Sequence, residues 1–237
     1  MFKTLFRTDE SRSFPDEEPR LTTLRRAMVE EQIRRRGITT PRVLDAFLSV
    51  PRHEFVPAGL CSLAYSDGPL AIGEGQTISQ PFMVAAMTEA LDLAGNEKVL
   101  EVGTGSGYQA ALLSLLGQEV HTIERNASLA EAARERLARL GYANVTVHEG
   151  DGTLGLPELA PLAAIVVTAA SPGLPPPLIE QLAEGGRLVI PVGDAQQQEC
   201  LLVRKGEGRI TRATLHFCRF VPLVGRYGWR GPSWNAG

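Results

Sequence analysis

Three glycines at alternate positions mark the stretch whose residue types bear most directly on chemistry. Gly103, Gly105 and Gly107 follow an apolar run that predicts a buried strand over 98–102. They precede an Ala- and Leu-rich segment that predicts a helix over 108–116. Glycines at such a turn adopt positive φ and let the backbone pass close to a ligand, while the helix start presents free N–H groups. The pattern therefore predicts a cradle for a cofactor.

Two acidic residues narrow the class of cofactor. Glu101 precedes the glycines, and Glu124 lies about 20 residues past the turn, where a carboxylate can accept hydrogen bonds from ribose hydroxyls. A dinucleotide-binding fold shares that carboxylate, but its fingerprint is G-x-G-x-x-G, whereas this chain has G-x-G-x-G. The sequence E-x-G-x-G-x-G is that of the S-adenosylmethionine methyltransferase fold, so the glycine spacing favours a methyltransferase.

A polar segment ahead of a predicted helix (82–91) is the second candidate for chemistry. Residues 65–81 combine glycines, prolines, small hydroxyls and amides, and a loop of this length in a compact domain usually binds something. Thr77 and Ser79 lie just ahead of Pro81, where backbone N–H groups and hydroxyls suit a carboxylate or another anion. Ser79 could equally cap the helix. No G-x-S-x-G motif surrounds it, which excludes the nucleophile elbow of a hydrolase.

Composition limits the class of protein. The 237 residues fit one α/β domain with additions, and a net charge of −3 argues against a nucleic-acid partner. The three cysteines are widely spaced without a C-x-x-C motif, so we predict neither a disulfide framework nor a metal site. The apolar runs are short and the first residues are too polar for a secretory signal. We expect a cytoplasmic monomer with no membrane partner.

Strand and helix patterns alternate after the cradle, as they do in a doubly wound parallel sheet. A final pair of strands is joined by a short turn, which predicts an antiparallel edge. We therefore predict an α/β fold, specifically the doubly wound, Rossmann-like, S-adenosylmethionine-dependent methyltransferase fold with an antiparallel edge and N-terminal helices. The expected further strands are 119–124, 145–149, 163–170, 187–192, 199–205 and 213–222, and the expected N-terminal helices are 21–36 and 41–49.

The chain is predicted to be one domain behind a short extension. Residues 1–20 are polar and contain prolines and a run of acids, which predicts a flexible N-terminal extension. Residues 21–237 form the predicted methyltransferase domain. Within it, residues 21–95 hold helices and the substrate and cofactor loop, and residues 96–237 hold the Rossmann-like core and the C-terminal tail.

Eight stretches together resemble the protein-L-isoaspartate O-methyltransferase family. The resemblance covers about residues 25 to 230, and the loop 75–81 combined with the glycine turn is more specific than either alone. The stretches are MVEEQIRRRG (28–37), PRHEFVP (51–57), YSDGPL (65–70), GQTISQP (75–81), VLEVGTGSGYQ (99–109), GDG (150–152), IVVTAA (165–170) and GGRLVIPVG (185–193).

The resemblance implies methyl transfer from S-adenosylmethionine to the free carboxylate of L-isoaspartyl residues in damaged proteins and peptides. The ester would then cyclise to a succinimide, which opens partly to normal aspartate, so the activity would serve repair. A carboxylate is already ionised at neutral pH. Such an enzyme must therefore supply positioning and exclude water rather than provide a strong base. The peptide is expected to bind extended, largely through backbone contacts.

The resemblance also implies roles for individual residues. Ser79 is the implied catalytic residue, which orients the substrate carboxylate. Glu124 is expected to hold the ribose hydroxyls, and Asp151 to face the adenine. The full set of implied cofactor-binding residues is Thr77, Ile78, Ser79, Glu101, Gly103, Thr104, Gly105, Ser106, Glu124, Arg125, Asp151 and Gly152.

Two other classes of function stay open on the sequence alone. One is a methyltransferase that acts on a small molecule or on RNA. The other is a non-catalytic member that binds cofactor or protein partners as an adaptor, although its glycine motif would be expected to be degenerate.

Overall fold

A seven-stranded sheet carries the fold in the computed structural model, which describes residues 18–230. A separate two-stranded hairpin precedes this sheet in the chain. The strands are β1 (Leu70–Gly73), β2 (Gln76–Ile78), β3 (Lys98–Val102), β4 (Glu119–Glu124), β5 (Val145–Glu149), β6 (Leu162–Val167), β7 (Leu182–Gly193), β8 (Gln198–Gly206) and β9 (Arg209–Cys218). The α-helices are α1 (Glu18–Ala27), α2 (Pro41–Ser49), α3 (Pro81–Ala90), α4 (Tyr108–Ser114), α5 (Ala127–Arg139) and α6 (Pro176–Glu180).

The strand order of the large sheet is β5-β4-β3-β6-β7-β8-β9. Strands β3 to β7 run parallel, whereas β8 and β9 pair antiparallel. The order reverses between β3 and β6, and ligands bind at the carboxyl ends of strands at such a switch point. The predicted doubly wound sheet with an antiparallel edge is therefore confirmed, and the glycine turn after β3 lies at the switch point.

Alternate residues of the parallel strands enter two different apolar cores. Val99 of β3 belongs to the core that includes most of the helices, whereas Leu100 belongs to the core on the other face of the sheet. The same alternation separates Val166 from Ile165 in β6. Side chains of a strand point to opposite faces with a period of two, so a parallel sheet that is covered on both faces needs continuous apolar runs.

The N-terminal helical segment departs from the single predicted helix over 21–36. Helix α1 begins at Glu18, at the edge of the described residues, and is followed by a π-helix (Met28–Ile33) and a 3₁₀ turn (Arg34–Arg36). The segment ends at Gly37, whose φ of 102° no side chain-bearing residue adopts easily. Residues 18–20 are therefore helical and not part of a flexible extension. The rest of that predicted extension, residues 1–17, lies outside the described residues.

The segment 65–81 is not the irregular loop that its composition predicts. Strands β1 and β2 pair antiparallel within it, with Leu70 opposite Ile78 and Ala71 opposite Thr77. Glu74 lies between Gly73 and Gly75 at the tip, and all three have positive φ. Strands of three and four residues carry too little alternation for a sequence pattern to reveal them. Residues 70–78 thus form a short β-hairpin, termed here the hairpin, where the composition predicts a loop.

Most of the remaining boundaries agree with the sequence to within about four residues. The predicted bounds of β3, β4 and β5 are the observed ones, whereas β6 ends at Val167 and β9 both begins and ends earlier than predicted. The prediction was wrong for the start of β7, which lies at Leu182 and not at residue 187. None of the helices in the described part of the chain is long and apolar enough to cross a membrane.

We expect Leu112→Ala to lower the free energy of unfolding by about 2–5 kcal/mol, because it leaves a cavity in the core. Leu112 is fully buried in α4, whereas Leu115, directly after this helix, is 47% exposed. The control Leu115→Ala should change the free energy by no more than about 0.5 kcal/mol. Urea denaturation of both variants measures the difference, and equal destabilisation would contradict the placement of α4.

Candidate active site

The glycine turn after β3 has the backbone geometry that the sequence predicts. Gly103, Gly105 and Gly107 have φ values of 99°, 52° and 87°. A Cβ on Gly103 would lie 2.5 Å from Oγ1 of Thr168, which follows β6. The N–H of Gly103 donates to the carbonyl of Ile123 at 2.9 Å. The turn is therefore wedged between the ends of β4 and β6, and only glycine fits there.

Glu101 is a carboxyl group buried inside the sheet at the base of the turn. It is fully buried, and its Oε2 accepts a hydrogen bond from Thr122 Oγ1 at 2.6 Å. Its Oε1 has no hydrogen-bond partner among the described residues. Burial raises the pKa of Glu101 to about 8, the nearby charge of Glu124 adds to this, and the Thr122 hydrogen bond opposes it. Once it loses its proton, this carboxyl group can accept hydrogen bonds from a cationic ligand.

Glu124 fixes the turn from the end of β4. Its Oε2 accepts from the N–H of Gly105 and its Oε1 from the N–H of Asn126, both at 3.0 Å. Each carboxylate oxygen can accept two hydrogen bonds, so both oxygens keep capacity for ligand hydroxyls. Glu124 lies beside the glycine turn but does not line the cavity that borders this turn.

The hairpin lies over the turn, and the two border a small, partly open cavity of about 40 Å³. Ile72 of β1 lies against Gly105, whose Cβ position is 3.3 Å from Ile72 Cδ1. At the tip of the hairpin, Glu74 accepts a hydrogen bond from Asn126 Nδ2 at 3.2 Å. The structure gathers eight of the predicted site residues around this cavity: Thr77, Ile78, Ser79, Glu101, Gly103, Thr104, Gly105 and Ser106.

Ser79 does not cap the helix that follows it. The N-cap of α3 is Gln80, without a side-chain capping bond, and the hydroxyl of Ser79 has no hydrogen-bond partner in the described part of the chain. Ser79 lines both this cavity and a larger neighbouring groove of about 330 Å³. Its hydroxyl is therefore available to a ligand that reaches the cavity from the groove.

The other three predicted site residues, Arg125, Asp151 and Gly152, lie at the same edge of the sheet but do not line the cavity. Asp151 follows β5 and caps a 3₁₀ turn, where its carboxylate accepts from Thr153 and from the N–H of Arg226 at 2.7 Å. Burial acts to raise the pKa of Asp151, but these hydrogen bonds and the charge of exposed Arg125 outweigh it and lower the pKa. Gly152 packs on β3, with its Cβ position 2.4 Å from Val102 Cγ1.

Sequence reasoning missed several residues that line the cavity. Thr168 could have been found, because it follows β6 and the carboxyl ends of neighbouring parallel strands meet at one edge. Phe220 gave no local signal, since it reaches the site only because the chain returns after β9. The cavity residues missed in this way are Val84, Met87, Tyr108, Gln109, Thr168 and Phe220.

The chemistry of the lining indicates positioning rather than proton transfer. Among the described residues that line the cavity, only Glu101 and Tyr108 can titrate. Burial raises the pKa of Tyr108, so its hydroxyl keeps its proton at neutral pH. No group of three or more His, Cys, Asp or Glu side chains within residues 18–230 could hold a metal ion. The arrangement suits a reaction whose nucleophile arrives already ionised.

Comparisons with known proteins show the family of this chain. The family model described as protein-L-isoaspartate(D-aspartate) O-methyltransferase matches residues 23–228. A protein-L-isoaspartate O-methyltransferase of Trichlorobacter lovleyi is 56% identical over 207 residues, which are 87% of this chain and 95% of that relative. The enzyme of the same name from Roseiflexus castenholzii is 57% identical over 208 residues, 88% of this chain and 95% of the relative.

Solved structures give the same result. A protein-L-isoaspartate O-methyltransferase aligns with a TM-score of 0.76 at 30% identity, over 88% of this chain and 67% of the other. A Plasmodium falciparum protein, described as a putative member in complex with S-adenosyl-L-homocysteine, aligns with a TM-score of 0.74 at 26% identity, over 84% and 98% of the two chains. The present chain therefore belongs to the protein-L-isoaspartate(D-aspartate) O-methyltransferase family.

Proposed function

We propose that this chain transfers the methyl group of S-adenosylmethionine to the free carboxylate of L-isoaspartyl residues in damaged proteins and peptides. The observation that carries the proposal is the cavity lined by both the glycine turn and Ser79, together with membership of the family. The methyl ester formed would then cyclise to a succinimide that opens partly to normal aspartate, which accomplishes repair.

The residues around the turn fit the cofactor. S-adenosylmethionine supplies an electrophilic methyl group on a sulfonium. The unpartnered Oε1 of Glu101 can accept a hydrogen bond from the ammonium group of the cofactor. The glycines leave room for the methionine part of the cofactor. Glu124 would hold the ribose hydroxyls, and Asp151 the adenine. The P. falciparum protein is in complex with S-adenosyl-L-homocysteine, which is the demethylated form of this cofactor.

Ser79 is the residue that we propose orients the substrate carboxylate. Ser79 lies where the cavity meets the groove, and Thr168 and Phe220 line both spaces as well. A peptide in the groove can therefore present one carboxylate to the cavity. Fixing that oxygen in line with the methyl group and excluding water supplies the rate enhancement.

The domain organisation, the cellular location and the oligomeric state complete the proposal. Residues 21–230 act as one domain, because helices from α1 to α4 share one apolar core with the sheet. The chain acts as a cytoplasmic monomer. Its three cysteines form no disulfide with one another, as expected for that location. Phe217 is the most exposed large apolar side chain of the described residues, at 72%. It lines the groove, so a substrate peptide accounts for its exposure without a second subunit.

We expect the chain to transfer labelled methyl groups to an isoaspartyl peptide but not to its aspartyl twin of the same sequence. The two peptides differ only in which carboxylate is free, so the pair tests positioning in the cavity. Scintillation counting after incubation with labelled S-adenosylmethionine measures the transfer. Equal labelling of both peptides, or of neither, would reject the proposed function, and labelling of RNA would favour the alternative methyltransferase class.

We expect Ser79→Ala to lower kcat/KM for the isoaspartyl peptide roughly 10- to 100-fold, because a hydrogen bond to a charged group is lost. The Kd for S-adenosylhomocysteine should stay within about twofold, since the hydroxyl is assigned to the peptide. Ser49→Ala is the control, because the Ser49 hydroxyl bonds only within α2, to the carbonyl of Asp45. If cofactor affinity collapses with activity, Ser79 belongs to the cofactor site instead.

We expect Glu101 to lose its proton when the cofactor binds. Its pKa of about 8 means that the free protein holds the carboxyl proton at pH 7, and an ammonium group nearby favours the ionised form. S-adenosylhomocysteine should therefore bind more tightly as pH rises from about 6 to 7.5, by up to tenfold per pH unit.

Calorimetry at pH 7 in buffers of different ionisation enthalpy measures the protons released. Wild type should release close to one proton per ligand, and Glu101→Gln should release none, because an amide does not titrate. Identical release by wild type and variant would show that another group is responsible.

A further inference from the structure

Arg52 is an unusual cation because it is fully buried and has no carboxylate among its hydrogen-bond partners. It begins a 3₁₀ turn (Arg52–Phe55) after α2. The titratable side chains that act on it are Tyr65 and Tyr108, and burial raises the pKa of both, so neither offers it a negative charge at pH 7. Taking a charge out of water without an opposite charge costs several kcal/mol. A structural or functional gain must offset that cost.

The guanidinium of Arg52 joins two backbone carbonyls that are far apart in the chain. Its Nε donates to the carbonyl of Ala64 at 2.7 Å, and its Nη2 donates to the carbonyl of Ser79 at 2.8 Å. The planar fork of an arginine holds two acceptors in a fixed geometry, which the single ammonium of lysine cannot do. Hydrogen bonds from a charged donor are roughly twice as strong as neutral ones.

The Ala64 side of this clamp is held firmly. The next residue, Tyr65, accepts at its carbonyl from Gln32 Nε2 at 2.8 Å, and its hydroxyl lies 2.8 Å from His53 Nδ1. Tyr65 is itself buried. Residues 64 and 65 therefore form an anchor that does not depend on the hairpin.

The third contact of Arg52 is with the floor of the cavity. Its guanidinium carbon lies 4.9 Å from the ring centroid of Tyr108, which lines the cavity. Phe47 and Phe55 pack edge-on against the same ring, with centroids 6.1 and 5.5 Å away. A cation over an aromatic face is favourable, and the aromatic cluster fixes the position of that face. Arg52 thus spans the anchor, the cavity floor and Ser79.

We propose that Arg52 is a positioning residue for methyl transfer, which holds the backbone of Ser79 so that the Ser79 hydroxyl faces the cavity. Arg52 acts through the carbonyl of Ser79 and contacts neither substrate. The inference rests on the proposed function, since it assigns Arg52 to the orientation of the carboxylate. Ser79 lies between β2 and α3, outside any regular element. The hydrogen bond from Arg52 to its carbonyl therefore fixes the orientation of its backbone.

The test compares Arg52→Lys and Arg52→Met with Arg42→Lys. Arg42 is a matched control, because its guanidinium also donates to two carbonyls, of Leu93 at 2.7 Å and of Leu116 at 3.1 Å. Those carbonyls lie outside the cavity lining. Calorimetry with S-adenosylhomocysteine counts the binding-competent sites, and kcat and KM for the isoaspartyl peptide are then expressed per competent site.

We expect Arg52→Lys to lower kcat roughly tenfold or more per competent site, since displacement of a positioning group by an ångström costs up to 100-fold. Its Kd for S-adenosylhomocysteine should stay within about threefold, and kcat of Arg42→Lys within about twofold. Arg52→Met, where it folds, should be no more active than Arg52→Lys. An unaltered kcat per competent site, or a loss of cofactor affinity in proportion to kcat, would overturn the role of Arg52.

The pH dependence gives a second readout that a purely structural role would not change. A buried lysine has a lowered pKa and loses its proton as pH rises, which weakens its bond to the Ser79 carbonyl. The kcat of Arg52→Lys relative to wild type should therefore fall between about pH 6 and pH 8, and a flat ratio would contradict the proposal. Wild type is assayed first with the matched peptide pair. Its inactivity would overturn the proposed function, whereas an active wild type with an unaltered variant overturns only the role of Arg52.

Discussion

Two buried carboxylates at the ends of neighbouring strands hold the glycine turn, and the rest of the site depends on them. Glu101 accepts from Thr122, whose hydroxyl also lies 2.6 Å from that of Thr104 in the turn. Glu124 accepts from the N–H of Gly105. Buried polar networks of this kind are rigid when each donor is satisfied. The turn is thereby fixed at the switch point of the sheet, where its position sets that of every other part of the cavity.

Partners from distant parts of the chain complete the site around that fixed turn. The hairpin lies on the turn through Ile72, Asn126 bonds its tip, and Arg52 holds the residue at its end. Each contact is weak on its own compared with the burial of the sheet. Together they bring Ser79 to the boundary between the cavity and the groove. A transfer between a bound cofactor and a large peptide requires such a boundary, because only the reacting carboxylate must leave water.

The absence of a base from the described cavity lining follows from the chemistry of the nucleophile. A carboxylate is ionised at neutral pH, so proton abstraction would add nothing. The buried groups serve geometry instead: Glu101 as an acceptor for a cation, and Arg52 as a donor to the backbone. Burying the Arg52 cation, and the Glu101 carboxylate that forms when the cofactor binds, costs stability, but each of them holds a group that the transfer step requires.

The sequence by itself determined the strand–turn–helix unit and the succession of strands and helices along the chain. Positive φ at glycines and runs of apolar residues are local properties, so the bounds of β3 to β5 and the cradle at Gly103 could be predicted. Only the tertiary structure decided that Thr168 and Phe220 line the cavity, that residues 70–78 form a hairpin, and that Arg52 reaches Ser79. Those contacts join residues far apart in the chain, and they depend on strand register and packing, which no local pattern encodes.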